Sequence, residues 1–377
     1  MKRILVAIKF FFKVKFKSLN HKKKVVIFDC VNTSDLVSIL NHNEIFIMSS
    51  RIDKIDTIYL NWNIILFMLK NFFKKRRMKL NYFIALIKEV KPDLVITTVD
   101  NSIEFSLLSK YFFGKIKFLA IQFATRNDVY KNEKGNNKNL FFSNLICFSK
   151  FDLDLLKANS ITVKNHIIAG SFKSSYFQNF YHKLDNKKKY DICYVSKQIH
   201  QKEYKNMKKL FNNQIKNLEY LSRYALNKDI KIIIQSKLEK NSTEINFYNK
   251  IFFKNNNVEI FWRKSETDYL TSYHNISSSE VVIGTPSTLL REAMTYNAKV
   301  LCSEYYPFDR DAHPFAGYNY MGEFSYEQFK EKIDHLLQIS SEEYLKKTKY
   351  SKNYYMENSN LVQLVKNLVD KKTSTLI

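Results

Sequence analysis

The sequence predicts an α/β protein made of two parallel-sheet domains that face each other across a cleft, with a C-terminal helix packing back over the first domain. Three observations predict it. Short apolar runs alternate with segments of helical period, a pattern that gives parallel strands covered on both faces. The alternation pauses at the charged stretch Lys187-Lys188-Lys189 and starts again at Tyr190. Finally, 377 residues at 45% hydrophobic content supply core for two domains of ordinary size, while 6 Gly and 4 Pro leave no flexible tether between them.

In chain order, strands are expected over 24–29 and 44–48, helices over 61–73 and 80–89, and a third strand over 94–98. A helix over 102–111 and a strand over 118–122 follow, then short strands over 145–148 and 166–169 flanking a helix over 152–158. The second sheet opens with a strand over 190–195, a helix over 213–225 and strands over 230–235 and 258–261. A short helix over 270–277 leads to a strand over 280–283, and the tail over 327–368 reads as helical. The expected organisation is a basic amphipathic segment 1–24, a first domain 25–186, a second domain 187–340 and a helical tail 341–377.

The most informative stretch is 277–305, which compresses strand, turn, helix and strand into one βαβ unit. Gly284-Thr285-Pro286-Ser287-Thr288 is a turn of permissive and hydroxyl residues between the strand and a helix starting at Leu289. Ser287 or Thr288 suits the N-cap, so free N–H groups and the helix dipole favour a phosphate there. Glu292, one turn in, is placed to reach a ribose hydroxyl pair, and Lys299-Val300-Leu301-Cys302 reads as the next strand. Spacing alone also allows an ordinary βαβ unit with a polar turn.

This unit, with Gly284-Thr285-Pro286-Ser287-Thr288, Arg291-Glu292-Ala293 and Lys299-Val300-Leu301, resembles the donor half of GT-B glycosyltransferases and of the related UDP-N-acetylglucosamine 2-epimerases. The resemblance implies two Rossmann-like domains, a hydroxyl turn that holds the diphosphate and a Glu that holds the ribose. A second block, Lys91-Pro92-Asp93-Leu94-Val95-Ile96-Thr97-Thr98-Val99-Asp100-Asn101 with Lys117-Phe118-Leu119-Ala120-Ile121-Gln122, looks like a family of bacterial surface-carbohydrate (capsule and lipopolysaccharide) biosynthesis glycosyltransferases. That family's later Gly-Ser-Phe is matched by Gly170-Ser171-Phe172. Its Asn-Gly after the Gln is not matched, since Phe123-Ala124-Thr125-Arg126 stands there. The resemblance spans roughly 25–305 in short patches.

Two such sheets place ligands between the carboxyl ends of their strands. Donor contacts are therefore expected from Gly284, Thr285, Ser287, Thr288, Glu292, Ser196, Gln235 and Ser236, and acceptor or phosphate contacts from Gln122, Arg126, Gly170 and Ser171. A sugar transfer with inversion needs a group near the acceptor hydroxyl to take its proton, and Asp100 is assigned that role, with Asp29 and Asp35 in reserve. Asp100 is equally placed to cap the helix beginning near Ser102. Arg126 or Lys197 would offset charge on the departing phosphate. Asp152 and Asp154 match the Asp-x-Asp form of metal-dependent transferases but open a helix, so no metal is expected. His313 follows a strand of the donor domain and is set aside as a loop His.

The net charge of +25, from 61 basic and 36 acidic residues, fits either a partner or a genome-wide bias toward Lys and Asn. No nucleic-acid module accompanies it, and the 24 Tyr and 31 Phe sit mostly in periodic apolar runs. Drawn as a helix, 1–16 aligns Leu5, Ile8, Phe12 and Phe16 on one face and Lys2, Lys9, Lys13 and Lys17 on the other, with Lys15 intruding. This is either an interfacial anchor for anionic lipid or a helix packed on its own sheet. No signal peptide or membrane span is read, and Cys30, Cys147, Cys193 and Cys302 lack metal spacing and read as reduced core residues.

The expected function is a metal-independent transfer of sugar from a nucleotide-sugar, as co-substrate and with no further cofactor, to a surface polysaccharide or lipid-linked glycan. The expected place is cytoplasmic, peripheral at the inner face of the plasma membrane, with no nucleic-acid partner. The alternatives are a nucleotide-sugar epimerase and a non-catalytic membrane-surface scaffold of the same fold.

Overall fold

A computed structural model describes residues 13–17, 25–29, 33–40, 45–51, 57–72, 77–125, 139–181, 188–197, 208–226, 228–240, 242–265, 268–306, 313–348 and 352–369. The first lobe contains β1 (Val14–Phe16), β2 (Val25–Phe28), α1 (Ser34–Ile39), β3 (Ile45–Met48), β4 (Ile58–Leu60), α2 (Trp62–Lys70), α3 (Met78–Val90), β5 (Leu94–Thr97) and α4 (Ile103–Tyr111). It continues through β6 (Lys117–Ile121), β7 (Phe141–Cys147), α5 (Lys150–Ala158), β8 (Thr162–Ile168) and α6 (Phe172–Phe180). The second lobe runs β9 (Tyr190–Val195), α7 (Lys208–Ala225), β10 (Ile232–Glu239), α8 (Ser242–Phe252), β11 (Val258–Arg263), α9 (Leu270–Ser277), β12 (Ser279–Gly284), α10 (Thr288–Ala293), β13 (Lys299–Glu304) and β14 (Tyr320–Gly322). Four helices finish the chain: α11 (Tyr326–Gln338), α12 (Ser341–Lys347), α13 (Lys352–Tyr355) and α14 (Leu361–Val369).

Each lobe holds a six-stranded, wholly parallel sheet. The strand order is β3-β2-β5-β6-β7-β8 in the first and β11-β10-β9-β12-β13-β14 in the second. Central strands are apolar on both sides, as the continuous runs Val25-Val26-Ile27-Phe28 and Val281-Val282-Ile283 require. Each sheet accordingly has a core on either face. In both lobes the chain reverses its direction of travel across the sheet beside the first strand of that sheet, between β2 and β5 and between β9 and β12. Such switch points open crevices at the carboxyl ends of strands, so Asp29 and Asp100 stand at one and Ser196 and Thr285 at the other.

The expected C-terminal return is present. Leu361, Val362, Val365 and Leu368 form the apolar stripe of α14 and bury it among Ile27, Leu36 and Phe172 of the first lobe. The tail is four helices rather than one, because Ser340 caps a new helix at α12 and the segment before α14 is extended against the first lobe. There Glu357 N–H donates to Phe148 O at 2.9 Å, and Gly170 and Asn358 form an antiparallel bridge. Gly170 has φ +82°, and a Cβ on it would lie 2.0 Å from Glu357 O. Gly170→Ala is therefore expected to lower unfolding free energy by at least about 2 kcal/mol, through left-handed strain plus the clash. Urea denaturation checks this, and an unchanged midpoint would contradict it.

Two further expectations need correction. Val14–Phe16 is a strand parallel to Ile58–Leu60 rather than the end of a helix, its β-branched and aromatic residues pairing with a second short strand; residues 1–12 lie outside the described ones. β7 and β8 begin four residues earlier than expected, at Phe141 and Thr162, because Ser143 and Asn144 interrupt the apolar run of β7 and the polar residues of the edge strand β8 weaken its signal. Cys147, Cys193 and Cys302 are buried and reduced, while Cys30 lies outside the described residues.

Candidate functional site

The site is built around α10, where the two lobes meet. Gly284 ends β12 beside Val195 of β9, at a spacing that suits glycine, since a Cβ there would lie 3.0 Å from Val195 O. Ser287 caps α10 by accepting the Leu290 N–H at 3.1 Å, and the helix starts at Thr288, one residue before the expected start. Thr285 is buried, and its hydroxyl has no partner among the described residues. Thr288 Oγ1 accepts the Thr125 N–H at 2.8 Å, so the hydroxyl turn faces the first lobe.

Arg291 and Glu292, adjacent on α10, are both buried and both reach across the lobes. The Arg291 guanidinium pairs with both carboxylate oxygens of Asp152 on α5, at 3.0 and 2.6 Å. It also donates to Ser149 Oγ at 3.1 Å, Thr125 Oγ1 at 3.3 Å and Tyr355 O at 2.9 and 2.6 Å. Burial works to raise the Asp152 pKa, but Arg291, Gln122 and Ser149 outweigh it and hold the carboxyl below its usual range. Glu292 accepts from the hydroxyls of Ser171 and Tyr273. Burial pushes its carboxyl up to about 7, against the pull of those hydrogen bonds and of Lys173.

Lys173, on α6 two residues beyond Ser171, completes the cluster. Its ammonium lies 4.4 Å from the Phe123 ring centre and 4.3 Å from that of Tyr269. Burial lowers its pKa, Glu292 and Asp35 raise it, and Arg263 at the end of β11 lowers it again. Arg263 is itself pushed down by burial, and its Nε is buried without a partner among the described residues. Lys173 thus interacts with both Glu292 and Arg263, an arrangement open to a group carrying more than one negative charge.

The other expected residues fall in place unevenly. Gly170 and Ser171 join Glu292 at the lobe interface. Asp100 is buried at the carboxyl end of β5, and the N-cap of α4 is Ser102, which accepts from Phe105 N–H at 3.2 Å. Asp29, at the end of β2, takes φ 70° and accepts from Ser50 and Arg51, while its Oδ1 is buried without a partner among the described residues. Gln122 is buried and tied within the first lobe: it donates to Asp152 at 2.8 Å and accepts from Phe148 N–H at 2.9 Å. Ser196 bonds Tyr248 at 2.5 Å, Gln235 accepts from Asn275 at 2.7 Å, and Ser236 bonds Glu244 at 3.1 Å, which ties all three into their own lobe. Arg126 lies outside the described residues. Asp154 pairs with Lys150 on the surface, so the two aspartates of Asp-x-Asp point to different environments.

Lys173, Arg263, Tyr273 and Arg291 are site residues beyond those expected from the sequence. The signal for two of them was present: Lys173 follows Gly170-Ser171-Phe172, and Arg291 precedes Glu292. No protein-family model matches the chain, and no curated protein sequence does. Solved structures do match in fold. A Listeria monocytogenes structure described as a UDP-N-acetylglucosamine 2-epimerase aligns with TM-score 0.56 at 12% identity, over 94% of this chain and 98% of the other. The UDP-GlcNAc 2-epimerase of Neisseria meningitidis, bound to UDP-GlcNAc, aligns with TM-score 0.54 at 15% identity, over 92% and 99%. The wall teichoic acid polymerase TagF aligns with TM-score 0.54 at 12% identity, over 98% and 95%. The chain therefore has the two-lobed GT-B fold shared by glycosyltransferases and these epimerases.

Proposed function

We propose that the chain is a glycosyltransferase that takes a sugar from a nucleotide-sugar and places it on a lipid-linked or polysaccharide acceptor at an anionic membrane surface. The observation that carries this reading is the meeting of Glu292 with Ser171 between the carboxyl ends of the two sheets, with Lys173 and Arg263 close by. Lys173 and Arg263 supply charge for a diphosphate, together with the polar turn at Thr285 and Ser287. Glu292 accepts hydrogen bonds from the ribose, which displaces Ser171 to reach it. As the bond from the anomeric carbon to the diphosphate breaks, the bonding pair leaves with the nucleotide. Asp100 takes the proton of the attacking acceptor hydroxyl.

The surface of the first lobe supports the membrane half of the reading. Among the described residues no helix is long and apolar enough to cross a bilayer. Helix α2 instead exposes Trp62, Leu66 and Leu69 at 68%, 60% and 62%, and Phe16 of β1 packs edge-on against Trp62. Lys15, Lys17, Lys70 and Arg77 flank this patch and are exposed. Behind it, Phe46, Met48, Tyr59, Met68, Met78 and Leu86 line an apolar cavity of about 350 Å³, suited to a hydrocarbon chain. Aromatic and aliphatic side chains ringed by cations are what an interface of anionic lipid selects. Changing Trp62, Leu66 and Leu69 together to serine is expected to weaken binding to phosphatidylglycerol vesicles at least about tenfold, since exposed side chains stabilise only the bound state. The melting temperature should hold, and equal vesicle binding would contradict the assignment.

The test of the reaction is incubation with a panel of nucleotide-sugars and a bacterial lipid extract. Release of free nucleotide that depends on the lipid supports the transferase, and Asp100→Asn should abolish release while sparing nucleotide binding. Isomerisation of the sugar with its nucleotide still attached would identify an epimerase. Binding without either reaction would identify a scaffold.

A further inference from the structure

A second cluster of chemistry-bearing side chains sits one strand away from the α10 turn. Cys302 pairs with Gly284 in the sheet register. Cys302 and Glu304 are two residues apart on β13, so their side chains leave the same face of the sheet. His313 closes over that face, its ring 5.8 Å from the Phe315 ring and 5.7 Å from that of Tyr320. One ligand atom from each of Cys302, Glu304 and His313 lies within 4.8 Å of the others.

His313 Nε2 and Glu304 Oε2 share a hydrogen bond at 3.1 Å, and the Tyr320 hydroxyl also bonds the Glu304 carboxyl. Glu304 is almost wholly buried, and its Oε1 has no partner among the described residues; the same holds for His313 Nδ1. A buried carboxylate oxygen and a buried imidazole nitrogen, without partners among the described residues and beside a thiol, are costly unless something binds them. The ligand set of one sulfur, one nitrogen and one carboxylate oxygen is the mixture that a divalent zinc-class ion takes, with a fourth position left for solvent.

We propose that Cys302, Glu304 and His313 bind one zinc-class divalent ion, which fastens the segment carrying His313 to the end of β13. Bonds of about 2.0–2.3 Å set tetrahedral ligand atoms roughly 3.5 Å apart, so binding draws the cluster together. The His313 ring, 13% exposed, is the member able to move and the side from which the ion enters. The ion takes no part in the sugar transfer proposed above, and the inference stands without that reading.

Cobalt(II) is the probe, added to the full-length chain after treatment with chelator. One equivalent should bind, with a thiolate-to-cobalt charge-transfer band in the near ultraviolet, and should raise the melting temperature. Cys302→Ser should remove the band, and His313→Ala should weaken binding at least tenfold. Cys147→Ser and Cys193→Ser should leave the band intact, which separates the site from the other buried thiols. Failure of the folded wild-type chain to bind cobalt, or a band that survives Cys302→Ser, would overturn the proposal.

Discussion

Replacing Arg291 with methionine is expected to lower the unfolding free energy by about 3–5 kcal/mol, the usual loss when one partner of a buried ion pair is removed. The guanidinium is completely buried and spends its donors on Asp152, Ser149, Thr125 and Tyr355 O. Methionine fills most of the volume but leaves the Asp152 carboxylate charged in a dry site, with only Gln122 and Ser149 to answer it. The chain joins its lobes at this point, since Arg291 belongs to the second lobe and Asp152 to the first, and Tyr355 lies in the returning tail. Pairing Arg291→Met with Asp152→Leu should recover part of the loss, because no orphan charge then remains. Urea denaturation measures both variants. A loss under about 1 kcal/mol for the single change would mean that this pair does not hold the lobes together.

Glu292→Gln should have the opposite effect on stability and a severe one on binding. The folded-state pKa, raised from 4.5 to about 7 by burial, means that the native chain holds a proton there that the unfolded chain releases. Its contribution is therefore fully present below pH 4.5 and is lost as pH rises through 7. Glutamine keeps an acceptor for Ser171 and Tyr273 and carries no charge at any pH. The variant should gain in melting temperature relative to wild type as pH rises from 5 to 8. Nucleotide affinity should fall at least about tenfold, because the anionic acceptor for the ribose is gone, and Glu292→Ala should fall further. Stability gained with binding lost marks a functional group held at a cost. A glutamine variant that is less stable at pH 8 and binds nucleotide like wild type would make Glu292 merely structural.

Much of the fold is legible because parallel strands buried on both faces write continuous apolar runs. The strand Tyr190–Val195 and the helix Leu270–Ser277 coincide with the spans read from sequence. What is not legible depends on distant partners. β1 and β4 are three residues each, pair with one another alone among the described residues, and carry no period long enough to detect. The grip of Gly170 on Glu357 joins segments far apart in the chain, so neither residue alone announces it. Strand ends place residues in the right layer without fixing where their side chains point: Gln122 directly follows β6, one residue past its end, and turns toward Asp152. The Gly284-to-Glu292 unit was readable as a phosphate-sized turn followed by an acid. That the neighbouring Arg291 locks the lobes, and that Lys173 faces Glu292 from the other lobe, required the packing of the two sheets.

The central claim is that the space around Glu292 and Lys173 is a nucleotide-sugar donor site, and the most direct measurement is thermal unfolding of the wild-type chain against UDP, CMP, CDP, GDP and dTDP. A nucleotide held only by the folded chain stabilises it by about 2.7 kcal/mol at a hundredfold excess over its dissociation constant. One nucleotide should raise the melting temperature, and the shift should disappear in Glu292→Ala. No shift with any of the five at millimolar concentration, or an equal shift in Glu292→Ala, would contradict the donor site.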